Sequence, residues 1–386
     1  MRYYLIAGEA SGDLHGSNLM KGLYAQDPSA QVRFWGGPLM DAVYRECESG
    51  EEGLVADYRD GAVMGVIQVL RQGRSLLERV ERCKADIQNW KPDVVILIDY
   101  PGFNLKIAQF AHGAGYKVYY YIAPKVWASR EGRIAKLKAW VDKLFIVFPF
   151  EKEYFEKHGV PYVYAGNPLV DAIADHPALS ESRGEFLIRT GLPDQPWTAL
   201  LAGSRSMEIK SMMPVYMKLA DAWHAAHPSD LFVVAAAPSR TLADYAPYIG
   251  TRDFVKVVFG ETYGVLRHAQ AAVINSGTAS LEAALIGTPQ VVAYRMASFV
   301  PAVVARKFIK VKYISLGNLI LDRLAFREFI QNEVSAPALL AEVTRLVSDE
   351  SYRQTMKADY AQIRELLGGT GASAAVARAM IQDLQG

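Results

Sequence analysis

The chain has 386 residues, of which 51% are hydrophobic and 22% charged, and its formal net charge is +1. This length favours two domains over one, and the composition supplies sizeable hydrophobic cores. So small a net charge excludes global attraction to nucleic acid or to a membrane, so any such affinity must come from a local patch.

Cys47 and Cys83 are the only cysteines. Their spacing suits neither zinc nor a disulfide framework, which points to a reducing compartment. The opening Met-Arg-Tyr-Tyr-Leu lacks the charged and apolar regions of a signal peptide. No apolar run reaches the ~18 residues of a spanning helix. A cytoplasmic protein is expected, with attachment to a membrane surface left open.

Short apolar runs alternate with longer amphipathic stretches along the whole chain. This pattern predicts α/β architecture with parallel sheets. In the first half, strands are expected at residues 3–7, 32–35, 94–98, 118–122 and 144–147. Residues 94–98 read VVILI, without alternation, as for a strand covered on both faces. In the second half, strands are expected at 198–201, 231–235, 255–258, 272–274 and 290–293. The segment AGNPLVDAIADHP places a boundary near residues 167–177. The fold class is therefore two doubly wound, Rossmann-like α/β domains in tandem. Ligands in such sheets collect at the carboxyl ends of the strands, and a cleft between the two domains is the default site.

The first loop, GEASGD, has the glycines of a phosphate loop, but Glu9 and Asp13 oppose phosphate. It reads better as the wall of a sugar site, with Ser11 as a polar contact. Glu9 and Asp13 would then orient hydroxyls or cap the following helix.

Next comes AVMGVIQVLRQGRSLLERVER, whose apolar residues recur near the 3.6 period. Val63, Met64, Val66, Ile67, Val69 and Leu70 form a wide apolar stripe, and Arg71, Arg74, Arg79 and Arg82 line the rest. Such a segment suits an anionic membrane interface or an acyl-chain site; a core-facing helix with a basic rim is the alternative. The stretch MASFVPAVVARKFIKVKYISLGN has the same character, mixing Phe299, Phe308 and Tyr313 with Arg306, Lys307, Lys310 and Lys312.

In VVILIDYPGFNLKIA, Asp99 follows the all-apolar strand and sits near the ligand end. A partly desolvated carboxylate there can take a proton from a sugar hydroxyl. Its alternative role is turn formation or helix capping. Asn104 would cap the next segment and lies on the same side.

In LLAGSRSMEIKSMMP, a buried strand gives way to Gly203 and Ser204, and Arg205 projects where the strand stops. Arg205 can grip a diphosphate or pair with Glu208. AAVINSGTASLEAALIGTPQVVAY repeats the logic. Ser276, Gly277 and Thr278 lead into a helix whose N-terminus favours anions. Thr278 and Ser280 add hydroxyls. Glu282, expected in the first helical turn, can accept from ribose hydroxyls or interact with the helix dipole. The seven histidines form no metal motif, and neither a P-loop nor a GxGxxG occurs. No metal and no cofactor are expected.

These stretches together resemble the lipid-A-disaccharide synthases. AGEASGDLHG, AVMGVIQVL, KPDVVILIDYPGFN, YYIAPKVWASR, GSRSMEI, NSGTASLEAAL, VVAYRM and YISLGNLIL follow that family's order and spacing over nearly the full chain. The resemblance implies a two-domain GT-B glycosyltransferase. It would transfer 2,3-diacylglucosamine from its UDP derivative to 2,3-diacylglucosamine 1-phosphate. The products would be UDP and a β-1′,6-linked disaccharide 1-phosphate, in lipid A biosynthesis. It also implies metal-independent chemistry, peripheral attachment to the inner face of the cytoplasmic membrane, and a homodimer formed by C-terminal exchange.

By the same resemblance Asp99 is the base on the acceptor 6-hydroxyl, and Arg205 lies near the donor diphosphate. Ser276, Gly277, Thr278 and Glu282 form the UDP loop, Asn318 is a required asparagine, and Ser11 is the serine of the opening loop. Lys125, Arg130 and Arg133 are candidates for the acceptor phosphate. Three positions depart from the family pattern: Gly102, Ser129 and Gly317.

The expected organisation is an acceptor-side domain over 1–168, a donor-side domain over 169–350, and C-terminal helices over 351–386. Those helices would pack back on the first domain or exchange with a second subunit. The competing readings are a UDP-sugar 2-epimerase-like enzyme on the same fold and a non-catalytic two-domain ligand-binding protein.

Overall fold

A computed structural model describes residues 1–47, 53–61, 69–127, 131–275, 277–295 and 312–386, with the backbone alone at 60–61 and 69–75. The chain forms two compact units, one of Met1–Ala172 with Leu367–Gly386, the other of Ile173–Leu366.

Unit 1 holds a parallel sheet of seven strands in the order β3-β2-β1-β4-β5-β6-β7. The strands are β1 Arg2–Ala7, β2 Gln31–Gly36, β3 Leu54–Asp57, β4 Val94–Ile98, β5 Lys117–Tyr121, β6 Lys143–Ile146 and β7 Tyr162–Tyr164. All five residues of β4 are buried, which explains the unbroken VVILI. The chain leaves β1 toward β2 on one side and reaches β4 on the other, so the strand order reverses at the β1–β4 pair. There Ala7 lies in register with Ile98, and the loops that follow them are neighbours.

Helix α1, Ala10–Gln26, covers this sheet and packs on the C-terminal helix Ala372–Gln385. That last helix is tied down at both ends. Asp171 accepts from the backbone N–H groups of Gly371 (2.6 Å) and Ser373 (2.9 Å), while Lys143 and Tyr119 both bind Asp383 near its end. The C-terminal segment that returns to unit 1 begins at Leu367. Residues 351–366, grouped above with that segment, belong instead to unit 2.

Unit 2 repeats the design with six parallel strands in the order β10-β9-β8-β11-β12-β13. These are β8 Trp197–Leu201, β9 Leu231–Ala236, β10 Val255–Phe259, β11 Ala271–Ile274, β12 Gln290–Tyr294 and β13 Glu328–Ile330. Its order reverses between β8 and β11, where Leu201 pairs in register with Ile274.

Among the described residues no helix is long and apolar enough to cross a membrane. Val63, Met64, Val66 and Ile67 of the apolar stripe lie outside the described residues. Val69, Leu70, Arg71 and Arg74 enter only as the backbone of the first turns of helix α3, Val69–Trp90. Further along α3, the Arg79 and Arg82 guanidinium groups lie 5.4 and 5.9 Å from the Trp35 ring centre, so these two cover an aromatic edge of unit 1. Of the second basic stretch, Lys312 pairs with Asp322 at 3.2 Å, and Tyr313 donates to the Asp322 carbonyl at 3.4 Å.

Candidate active site

In open α/β sheets ligands bind where the strand order reverses. Unit 1 places the opening loop and Asp99 there. Asp99 and Tyr100, directly after β4, have φ of 44° and 45°. Two consecutive non-glycine residues in the left-handed region are costly, and such strain clusters at functional positions. The strain is held from below. Asn104, fully buried, donates its amide to the carbonyls of Ile6 (3.4 Å), Ile98 (3.2 Å) and Asp99 (2.8 Å). Tyr120 donates its hydroxyl to the Asp99 carbonyl at 2.6 Å. On the other side Gly8 admits Tyr100, because a Cβ at Gly8 would fall 2.3 Å from the Tyr100 ring.

Burial raises the pKa of the Asp99 carboxyl; the charge of Lys125 opposes this, Glu9 adds to it, and the Tyr100 N–H and Arg133 oppose it. The structure thus brings together Asp99, Glu9, Lys125 and Arg133. Lys125 is exposed, and its charge acts on both Asp99 and Glu151. Arg130, the other proposed acceptor-side cation, and Ser129 lie outside the described residues.

Two readings of unit 1 change, and one residue is added. Asn104 is not a ligand contact but the strut beneath Asp99. Asp13 neither orients a sugar nor caps its own helix. Its carboxylate accepts from the N–H groups of Gly37 (2.9 Å), Leu39 (3.1 Å) and Met40 (3.0 Å) and so caps helix α2, Pro38–Cys47. Glu151, which the sequence did not single out, is buried and accepts from Val147 N–H, Phe148 N–H and Trp127 Nε1. It shapes the turn after β6 and anchors the tryptophan of KVWASR. Ser11 is exposed in the first turn of α1. Gly102 is exposed with open space around it, so a side chain would fit there.

In unit 2 the reversal between β8 and β11 brings the two anion-suited loops side by side. Gly203 has φ 98°, and a Cβ there would lie 2.3 Å from the Glu208 carboxylate and 2.9 Å from Asn275. Only glycine fits. Buried Asn275 donates to the Ala202 carbonyl at 3.2 Å and locks one loop to the other. Arg240 braces the first loop, donating to the Ser204 carbonyl (2.7 Å) and to the Ser206 hydroxyl (2.8 Å). Neither strut was legible in the sequence, although Arg240 does follow the end of β9.

Arg205 is 73% exposed and pairs with Glu208 at 3.1 Å. An exposed pair of this kind contributes ~0–1 kcal/mol, so an incoming diphosphate can displace it at little cost. Gly277 caps helix α12, Thr278–Ile286, and is exposed beside partly exposed Thr278; Ser276 lies outside the described residues.

Ser280 is fully buried and donates to the Gly277 carbonyl at 3.0 Å, so it shapes the loop and does not face a ligand. Glu282 lies one turn into α12, beyond the expected first turn. It is partly exposed and accepts from the Tyr263 hydroxyl at 3.1 Å.

Asn318 also differs from expectation. It is fully buried, donating to Phe326 O (2.9 Å) and Glu328 Oε1 (2.8 Å) and accepting from Ala325 N–H (2.8 Å) and Phe326 N–H (3.3 Å). With its amide so engaged, it holds the 315–328 segment in shape and has no group left for a donor. Gly317 beside it fits because a Cβ would lie 2.9 Å from the Phe326 ring.

Among the described residues no group of three His, Cys, Asp or Glu is placed to hold a metal ion. An open pocket of ≈ 640 Å³ also lies in unit 2, lined by His176, Glu181, Glu185, Arg189 and Glu261 among others. Its arginine is already paired with Glu181 and Glu261, so this pocket does not suit an anion as the two loops do.

The family model for lipid-A-disaccharide synthetase matches residues 3–380. The chain belongs to the lipid-A-disaccharide synthase family. It is 37% identical to the lipid-A-disaccharide synthase of Geobacter metallireducens over 99% of this chain and 97% of that one. It is 35% identical to that of Coxiella burnetii, over 97% of this chain and 96% of the relative. It is accordingly a glycosyltransferase of lipid A biosynthesis.

Among solved structures it is similar to a UDP-GlcNAc 2-epimerase from Neisseria meningitidis bound to UDP-GlcNAc. The TM-score is 0.72 at 12% identity, over 99% of this chain and 100% of that chain. A co-structure of S. aureus MnaA with UDP gives a TM-score of 0.71 at 14% identity, covering 100% and 97%. These likenesses establish the GT-B-like fold alone. The epimerase alternative therefore rests on fold alone, whereas the synthase family is matched in sequence along the chain.

Proposed function

We propose that the protein transfers a 2,3-diacylglucosaminyl group from its UDP derivative to the 6-hydroxyl of 2,3-diacylglucosamine 1-phosphate. The observation that carries this reading is Asp99: a strained, desolvated carboxylate at the reversal of the unit 1 sheet, with Lys125 and Arg133 beside it. Asp99 takes the acceptor's hydroxyl proton as that oxygen attacks the donor's anomeric carbon. The bond from that carbon to the UDP oxygen breaks, UDP leaves with the electron pair, and the configuration inverts. Lys125 and Arg133 give the acceptor phosphate a cationic setting.

In unit 2, Arg205 and the N-terminus of α12 stabilise the departing diphosphate by preorganised positive charge, and Glu282 accepts from the ribose hydroxyls. The UDP-GlcNAc and UDP bound by the two fold neighbours support a uridine nucleotide as the donor's leaving group. A mass-spectrometric assay with both substrates tests the reading. It should yield disaccharide 1-phosphate and UDP in equal amounts, and neither when one substrate is omitted. Epimerised UDP-sugar formed without acceptor would sink it.

The sequence of residues 62–82 and 296–318 supports peripheral attachment to the inner face of the cytoplasmic membrane. Co-sedimentation with vesicles of anionic phospholipid, but not with zwitterionic ones, is the expected result. The helix Ala372–Gln385 docks on unit 1 of its own chain, and the same surface would receive that helix from a second copy in an exchanged homodimer. Light scattering coupled to gel filtration decides between monomer and dimer.

A further inference from the structure

Glu282 Oε1 accepts from Tyr263 Oη at 3.1 Å, and no other hydrogen bond to this carboxylate occurs within the described residues. Tyr263 belongs to helix α11, Thr262–Arg267, which packs against α12. Its ring is held edge-on by His176, with 4.7 Å between ring centres. His176 is itself fixed, its Nδ1 accepting from Ala178 N–H at 3.2 Å. A chain of three side chains therefore ends on one oxygen of a partly exposed carboxylate and leaves the other oxygen without a protein partner among the described residues. Burial pushes the Glu282 pKa up, and the tyrosine hydroxyl opposes that shift. An unsupported carboxyl here would rotate and protonate more readily, and it would lose its capacity to accept two hydroxyl donors.

We propose that Tyr263 is a positioning residue for nucleotide recognition, holding and orienting the Glu282 carboxylate toward the ribose diol of a uridine diphosphate. This rests on the reading of Glu282 as the ribose contact.

Isothermal titration of the full chain with UDP and with 2′,3′-dideoxy-UDP tests it. Wild type should prefer UDP by about tenfold or more, as hydrogen bonds to a charged group allow. Glu282→Gln should bring that ratio close to one. Tyr263→Phe keeps the ring against His176 and should cut the ratio severalfold through weaker UDP binding, with dideoxy-UDP binding unchanged. Equal losses for both nucleotides in Tyr263→Phe would make the residue a packing element only and overturn the proposal. A ratio lost in Glu282→Gln but kept in Tyr263→Phe would also overturn it while leaving the ribose reading intact. A ratio kept in Glu282→Gln would remove the ribose reading, and the role of Tyr263 with it.

Discussion

The buried amide of Asn104 donates to the backbone carbonyl of Asp99 at 2.8 Å, and the hydroxyl of Tyr120 reaches the same oxygen at 2.6 Å. Left-handed non-glycine residues cost ~1–3 kcal/mol each, and here Asp99 and Tyr100 adopt that conformation in succession. Two donors on one carbonyl offset the strain and fix where the carboxylate stands. Asn104→Leu would strip the donor from the carbonyls of Ile6, Ile98 and Asp99. Urea unfolding should show a loss of ~1–3 kcal/mol for buried groups left unsatisfied. Turnover should fall at least about tenfold, as misplaced catalytic groups do, with UDP affinity unchanged. Unaltered turnover in a destabilised variant would restrict Asn104 to a stabilising role.

Asp99→Asn removes the proton acceptor while keeping shape and tolerance of the left-handed region. Turnover should drop by ~10²–10⁴-fold, the usual contribution of a positioned base, and UDP should bind as in wild type. Because burial raises the Asp99 pKa, the acid limb of the kcat/KM profile should lie above the ordinary aspartate range. Retention of turnover in this variant would take Asp99 out of the chemistry.

Arg205 is predicted to exchange Glu208 for the diphosphate. Arg205→Ala should weaken UDP binding by ~10-fold or more, as loss of a charge-assisted contact implies. Arg205→Lys should recover only part of it, since an ammonium lacks the two-pronged donor geometry. Titration calorimetry at two salt concentrations should also show a smaller salt dependence in the alanine variant. Equal UDP affinity in wild type and Arg205→Ala would leave Arg205 as the surface partner of Glu208.

Stability should respond to two buried groups in opposite senses. Burial holds His15 down at about 4 against an ordinary 6.5. The unfolded chain therefore binds more protons between those values, and this contribution is present above pH 6.5 and lost as pH falls toward 4. Burial pushes Glu151 up to about 7 from 4.5. Its folded form binds more protons in that window, so its contribution is present below pH 4.5 and lost as pH rises through 7. Each amounts to ~3 kcal/mol at 1.36 kcal/mol per pKa unit, and they oppose one another where the windows overlap. Urea midpoints between pH 5 and 7 should rise with pH in Glu151→Gln and fall with pH in His15→Asn, relative to wild type. Parallel curves for all three proteins would contradict both assignments.

What could be read in the chain depended on burial. Interior strands announce themselves because both faces are covered, and every one of them was expected. β3, β7 and β13 were not. They are sheet edges of three or four residues, mostly half-exposed, and their apolar runs of two or three residues lack the cover that marks an interior strand. Asp99 was legible because a charged residue abruptly ends such a run. Asn104 and Asn318 look the same as ligand contacts in sequence, since a polar residue near a glycine serves equally to brace a loop. Glu328 was missed outright. It accepts from Ile314 N–H and Ser315 N–H at 2.9 Å and from Asn318 at 2.8 Å, partners at least ten residues away along the chain.

The cap that Asp171 places on the last helix sets the order in which the molecule can be completed. Asn167 N–H donates to the Leu367 carbonyl at 3.1 Å, so the points where the chain leaves and re-enters unit 1 are adjacent. Topologically, unit 2 is a guest spliced into a loop of its host. During synthesis the guest emerges whole while the host still lacks its final helix, so the half that begins the protein is the last to be finished. A fragment ending at residue 172 should stay incompletely folded, whereas joining residues 1–172 to 367–386 through a short linker should give a protein that folds by itself.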